Sequence, residues 1–218
     1  MAKLSTGGEN PIQLNWQRTH KWDAEHGNGN EIKERDPNRT LLEAAIEHQY
    51  EGTQDMFPIW KNLAENGSVY AMNKVAWCYW TGTDVDKNVG EAESWYSAAM
   101  AGGSQWASLR LAELLAENGD LEGVKDVLGK AAASGWAPAM FWLAWHQLRS
   151  SQTASTYSEA RLLLDGALEA GHPGAKWYLG RLMAQGKYGS KDRKRGRKLL
   201  MEMASELRVE LEHDITLN

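Results

Sequence analysis

Apolar residues along this chain recur at helical spacing in blocks, and the blocks themselves recur. Four alanines, Ala71, Ala107, Ala139 and Ala175, stand at intervals of 36, 32 and 36 residues. Each is followed four positions on by an aliphatic residue (Val75, Leu111, Leu143, Leu179) and five on by a small one (Ala76, Ala112, Ala144, Gly180). Four positions before each stands a glycine: Gly67, Gly103, Gly135 and Gly171. Upstream of these glycines an apolar pair returns as Ile59-Trp60, Trp95-Tyr96, Val127-Leu128 and Leu163-Leu164, and once more as Leu199-Leu200. Columns that hold register through successive copies mark a repeating structural unit, because a fixed period is the sequence signature of a repeat architecture.

Each repeat reads as two helices. Helix A begins near the aligned alanine and carries apolar residues at offsets 0, 4 and 8 from it, a one-faced pattern of helical period. Helix B carries the apolar pair and then small residues such as Ala98-Ala99 or Ala132-Ala133. Asn88 with Glu91, Thr156 with Glu159 and Thr40 with Glu43 have capping-box spacing. The recurring glycine suits the left-handed position that ends helix B, and Pro138 and Pro173 fall in the first turn of a following helix A. These signals predict helices near 40–51, 54–65, 69–80, 88–101, 105–117, 120–133, 137–149, 156–170, 173–185 and 192–210. The small residues allow antiparallel helices to approach within about 8–9 Å, and since one hairpin cannot bury its apolar face alone, neighbours must stack. The expected architecture is all-α: a right-handed superhelical α-solenoid of antiparallel helix pairs over 40–210, with repeats near 40–67, 68–103, 104–135, 136–171 and 172–210.

Outside that span, residues 1–39 hold few aliphatics, the run His26-Gly-Asn-Gly-Asn30 and the charged segment Glu31 to Arg35. Such a composition buries too little apolar surface to offset ordering entropy and predicts a flexible arm. Trp16, Trp22 and the basic stretch Arg18 to Lys21 give the arm the makings of a short docking motif. Residues 211–218 are expected as a flexible tail.

Residues 71–107, AMNKVAWCYWTGTDVDKNVGEAESWYSAAMAGGSQWA, resemble a Sel1-like repeat, a relative of the tetratricopeptide repeat. Ala71, Tyr79, Gly82, Val85, Ala92, Trp95, Tyr96, Ala99, Gly103 and Ala107 carry the likeness; Val75, Ala76, Asp84, Asn88, Glu91 and Met100 depart from the pattern. A second copy starts at Ala175 with Leu179-Gly180, Gly186, Asp192 and Ala204. The resemblance covers about residues 40–205, and it implies a non-catalytic scaffold or adaptor that holds other proteins, without naming one.

The register of helix A also marks an outward face. At about 100° per residue, offsets 0, 4, 5 and 8 centre one stripe, and offset 6 lies almost opposite. Offset 6 holds Trp77, Glu113, Trp145 and Arg181; flanking positions hold Asn73, Phe141, Trp177 and Trp80. These eight residues are the expected partner-binding groove, since tryptophan buries a large area for two lost rotors and dominates binding hot spots. The partner class is protein or peptide; stacking on sugar faces is the alternative. A second candidate is the basic loop 187–198, with Lys187, Lys191, Arg193, Lys194, Arg195, Arg197 and Lys198, suited to phosphate, nucleic acid or an acidic protein.

Composition narrows this further. A net charge of −5 argues against attraction of the whole surface to nucleic acid or acidic membranes. The single cysteine, Cys78, precludes an internal disulfide and reads as a buried small hydrophobe. No apolar run approaches a membrane span, and the first residues lack the apolar core of a signal peptide, so a cytoplasmic protein is expected. His20, His26, His48, His146, His172 and His213 show no metal-ligand spacing, and His172, before Pro173, reads as a solvated turn residue. No phosphate-binding loop or nucleophile elbow occurs, so neither catalysis nor a cofactor or metal is expected.

Overall fold

A computed structural model describes residues 11–51, 56–188 and 192–216, with side chains over 17–49, 56–188 and 192–208. Among these residues there is no strand. The helices are α1 (Pro11–Glu25), α2 (Gly29–Glu34), α3 (Arg39–Glu51), α4 (Phe57–Glu65), α5 (Val69–Thr81), α6 (Val89–Ala101), α7 (Gln105–Glu117), α8 (Leu121–Ala133), α9 (Ala137–Ser150), α10 (Ala154–Glu169), α11 (Pro173–Ala184) and α12 (Arg193–Thr216). Helices α5, α7, α9 and α11 are the A helices; α4, α6, α8, α10 and α12 are the B helices.

The turn from B to A explains why glycine recurs. Gly67, Gly103, Gly135 and Gly171 have φ of 89°, 91°, 85° and 85°, the left-handed region that an L side chain resists. The next residue then serves two helices. The N–H groups of Ser68, Ser104 and His172 donate to the carbonyls of Leu63, Ala99 and Ala167, closing helix B. Their side chains accept from the N–H groups of Ala71, Ala107 and Ala175, opening helix A. Trp136 makes no such cap at α9, because its indole carries a donor and no acceptor for the Ala139 N–H. Asn88 caps α6 as its spacing predicts. Thr156 does not cap α10, because Thr153 does so and the helix starts earlier; Thr40 lies inside α3.

The recurring columns are core. Ala71, Ala107, Ala139 and Ala175 are fully buried, as are Val75 and Leu179. In three of the apolar pairs the second member is the inserted one: Trp60, Tyr96 and Leu164 are buried, while Ile59, Trp95 and Leu163 are only half-buried; Val127 and Leu128 are both buried, and Leu199 and Leu200 both half-buried. Close approach is clearest where α11 crosses α12. A methyl group added at Gly196 would stand 2.6 Å from Met183 Cβ and 2.7 Å from the Gly180 carbonyl oxygen.

The chain forms two compact units, one of residues 27–134 and one of residues 1–26 with 135–218. In the 27–134 unit, Leu42, Ala45, Met56, Trp60, Leu63, Ala64, Ala71 and Val75 form one apolar cluster. In the other unit α1 packs on α11, which also packs on α12 and α10.

Two expectations are corrected here. The segment 1–39 is not an arm over its described length, since α1 and α2 occupy it and Thr19, Asp23 and Asp36 are buried. Its low apolar content misled because its buried groups are polar and find polar partners. The tail expected from residue 211 is likewise helical to Thr216 within α12.

Candidate functional site

In the 27–134 unit the outward face of α5 and α7 carries Trp77, Trp80, Glu113 and Glu117. Trp77 is 44% exposed, uncommon for a tryptophan inside a helix of a packed repeat. Trp80, one turn on, is half-buried; its ring meets Tyr96 edge-on at 6.1 Å and its Nε1–H donates to Glu117 Oε2 at 3.1 Å. Glu113 pairs with Arg110 at 2.8 Å, and the Arg110 guanidinium lies 4.3 Å from the Trp106 ring centre. Asn73 ties α5 to the start of α7, its Nδ2 donating to the Val69 carbonyl and to Ser104 Oγ. That side chain is structural glue at the edge of the face rather than an open contact.

In the second unit the corresponding face of α9 and α11 carries tryptophan–arginine pairs. Arg149 lies over Trp145 at 4.5 Å and Arg181 over Trp177 at 5.4 Å, each one helical turn after its ring. Both tryptophans are half-buried and both arginines exposed. Burial, and secondarily Arg149, lower the pKa of the adjacent His146 below the usual histidine value. Phe141, expected in the groove, is instead core. It is 1% exposed, with His172 stacked at 4.6 Å, Trp142 at 5.0 Å and Tyr178 at 6.5 Å. Its offset points away from the buried stripe of α9, but the neighbouring A helix and α1 cover it.

The basic loop is largely engaged within the protein. Arg195 pairs with Asp165 at 3.3 Å, Lys198 with Glu202 at 3.7 Å, and Lys187 lies 5.5 Å from the Tyr157 ring. The Arg193 guanidinium packs where a Cβ on Gly186 would be. Lys194 and Arg197 are exposed on the first turns of α12, and Lys191 lies outside the described residues. Among the described residues no group of three or more His, Cys, Asp or Glu side chains is placed to hold a metal ion.

Sequence reasoning missed the row of polar clamps that N-terminal residues make on the A-helix starts. In the 27–134 unit, the buried Ser68 hydroxyl donates to Asp36 Oδ2. Asn28 brackets the α7 start, its Nδ2 donating to the Gly103 carbonyl at 2.7 Å and its Oδ1 accepting from the Gln105 N–H at 3.1 Å. In the other unit Trp136 Nε1–H donates to the His26 carbonyl at 3.2 Å. His172 is completely buried rather than solvated. Its Nδ1 accepts from the Ala175 N–H at 3.1 Å, which leaves the ring proton on Nε2, 2.8 Å from Asp23 Oδ1. The other Asp23 oxygen accepts from Trp142 Nε1–H at 2.8 Å. With both ring nitrogens committed, this His–Asp pair fixes α1 and α11; it has no free nitrogen for proton transfer. The only forewarning in the sequence is the column three before each aligned alanine, which reads Ser68, Ser104, Trp136, His172.

No helix among the described residues is long and apolar enough to cross a membrane. No protein-family model matches the sequence, and no curated protein does. Solved structures do. A Sel1 repeat protein from Oxalobacter formigenes aligns at 23% identity and a TM-score of 0.61, over 75% of this chain and 69% of that one. A protective antigen present in uropathogenic Escherichia coli strains, displaying an SLR fold, aligns at 22% identity and a TM-score of 0.60, over 69% of this chain. This chain spans only 33% of that antigen's length. Paired helices in register, left-handed glycines at each B-to-A turn and these neighbours together give the chain the Sel1-like repeat fold, an all-α solenoid.

Proposed function

We propose that the protein is a non-catalytic scaffold that holds a protein or peptide on the tryptophan face of α5 and α7. The observation that carries this reading is the exposure of Trp77 beside Trp80, bordered by Glu113 and Glu117. Burial of such a ring by a partner removes apolar area from water without ordering a flexible side chain. The flanking carboxylates favour a partner segment that sets an apolar or planar side chain on Trp77 and a lysine or arginine toward the acids. The face holds no nucleophile with an adjacent base, which supports holding rather than transforming the partner.

The test is a fluorescence-anisotropy screen of short basic-aromatic peptides, with the best binder titrated against wild type, Trp77→Ala and Glu117→Gln. Trp77→Ala should weaken binding at least tenfold, and Glu117→Gln should reduce its salt dependence, with far-UV circular dichroism unchanged. A binder equally tight on Trp77→Ala would place the site elsewhere and sink this reading.

A further inference from the structure

We infer that the tryptophan–arginine face of α9 and α11 is a docking surface for an acidic peptide segment, held by Arg149, Arg181 and the Tyr178 hydroxyl. The face belongs to the unit of residues 1–26 with 135–218, and it stands or falls independently of the α5–α7 face.

The first ground is charge without compensation. Neither α9 (APAMFWLAWHQLRS) nor α11 (PGAKWYLGRLMA) contains an aspartate or glutamate. Lys176 finds its acids on α12, at 2.5 Å from Glu206 and 3.5 Å from Glu202. Arg149 and Arg181 are exposed, and neither has a carboxylate partner among the described residues. Other exposed arginines differ: Arg35, Arg39 and Arg195 each end on an aspartate or glutamate side chain. In a chain of net charge −5, two arginines left unpaired on neighbouring A helices make this face locally cationic, which is complementary to an acidic ligand.

The second ground is how the charges are held. Each guanidinium lies on a tryptophan of its own helix, 4.5 Å from the Trp145 ring centre and 5.4 Å from that of Trp177. A stacked guanidinium meets its ring through one flat side, so the N–H groups at its edge stay free for the two parallel bonds that a carboxylate accepts. The rings are braced in turn: Trp145 meets Trp142 edge-on at 5.6 Å, and Trp177 lies 6.0 Å from Tyr178. Side chains ordered in advance lose little entropy when a ligand arrives.

Tyr178 supplies the third ground. It is half-buried, and its hydroxyl makes no hydrogen bond among the described residues. Burial pushes the Tyr178 pKa up while Arg181 and Arg149 both pull against it, so the two guanidinia act on one hydroxyl. That hydroxyl keeps its proton and can donate to an anion that the arginines hold. The half-buried Trp145 and Trp177 rings give the side chains between the acids an apolar floor. Two cations on separate helices, each with its own ring, suit separate carboxylates along a peptide; a nucleic acid would need a longer basic track than these helices supply.

The experiment is isothermal titration calorimetry of the full chain with an acetylated, amidated octapeptide alternating glutamate and alanine, at low and at physiological salt. The peptide should bind the wild-type chain, more weakly as salt rises, and its glutamine counterpart should not bind. Arg149→Gln and Arg181→Gln should each weaken binding roughly tenfold and Tyr178→Phe about threefold. Lys125→Gln, which removes an exposed cation from α8, should leave it unchanged. Arg149→Lys keeps the charge but loses the fork and the stack, and should weaken binding roughly fivefold. Absent binding to wild type, equal weakening by Lys125→Gln, or full binding by Arg149→Lys would overturn the proposal. A serine-phosphorylated octapeptide or a single-stranded RNA that binds roughly tenfold more tightly than the glutamate peptide would assign the face to phosphate and overturn the acidic peptide.

Discussion

Replacing Asp23 with alanine isolates the energy of one buried carboxylate, because its two donors and their distances are known. In the wild type, His172 Nε2–H and Trp142 Nε1–H each end on an Asp23 oxygen at 2.8 Å, and the aspartate is 1% exposed. Alanine leaves two donors unpaired, at about 1–3 kcal/mol each, so the full penalty is roughly 2–6 kcal/mol. Relaxation and water entry bring the expected loss to about 3–4 kcal/mol. The loss also has a ceiling. Once the penalty exceeds the docking energy of α1, the helix lets go and both donors meet water. At about 2–4 °C per kcal/mol for a chain of this size, Tm should fall by roughly 6–16 °C. Urea unfolding followed by far-UV circular dichroism, run as a double-mutant cycle with Trp142→Phe, separates the contributions. Trp142→Phe should cost about 1–2 kcal/mol in wild type and almost nothing in the Asp23→Ala background, where it removes an orphaned donor. A loss below about 1 kcal/mol for Asp23→Ala, or no coupling in the cycle, would refute the account of Asp23 as the joint acceptor.

The corrected placement of the aromatics gives a second contrast. Phe141→Ala should destabilise by about 3–5 kcal/mol, as a large core truncation, whereas Trp77→Ala should stay within about 1 kcal/mol because its ring already faces water; comparable losses in urea melts would contradict the two burials. Gly135→Ala should cost about 1 kcal/mol purely through its left-handed backbone, since an added methyl there meets nothing within 4 Å; an unchanged urea midpoint would deny that strain. Burial lowers the folded-state pKa of His146, so the unfolded chain binds the proton more readily. Its contribution is therefore present above the ordinary histidine value and is lost as pH falls through that value and the lower folded one. His146→Gln should flatten the decline in urea midpoint between about pH 7 and pH 5, and an identical pH profile would remove His146 as its cause.

What the sequence by itself determined is what depends on spacing along the chain. The 36-residue and 32-residue intervals set the repeat, and helix ends follow from caps and left-handed glycines a few residues away. Predicted helices 69–80, 105–117 and 173–185 accordingly correspond to α5 (Val69–Thr81), α7 (Gln105–Glu117) and α11 (Pro173–Ala184). The same periodicity identified offset 6, where Trp77 and Arg181 are exposed and Glu113 and Trp145 half-buried. Tertiary structure alone decided whatever joins positions without a period. Asp23 reaches His172 across 149 residues and Asp36 reaches Ser68 across 32. Nothing in a glycine- and asparagine-rich segment announces such partners, because its buried groups answer helix N-termini and not an apolar stripe. Phe141 shows the same limit from the other side. Its offset tells which way it leaves its own helix, and only the packing of the next A helix and α1 determines that the space there is protein and not water.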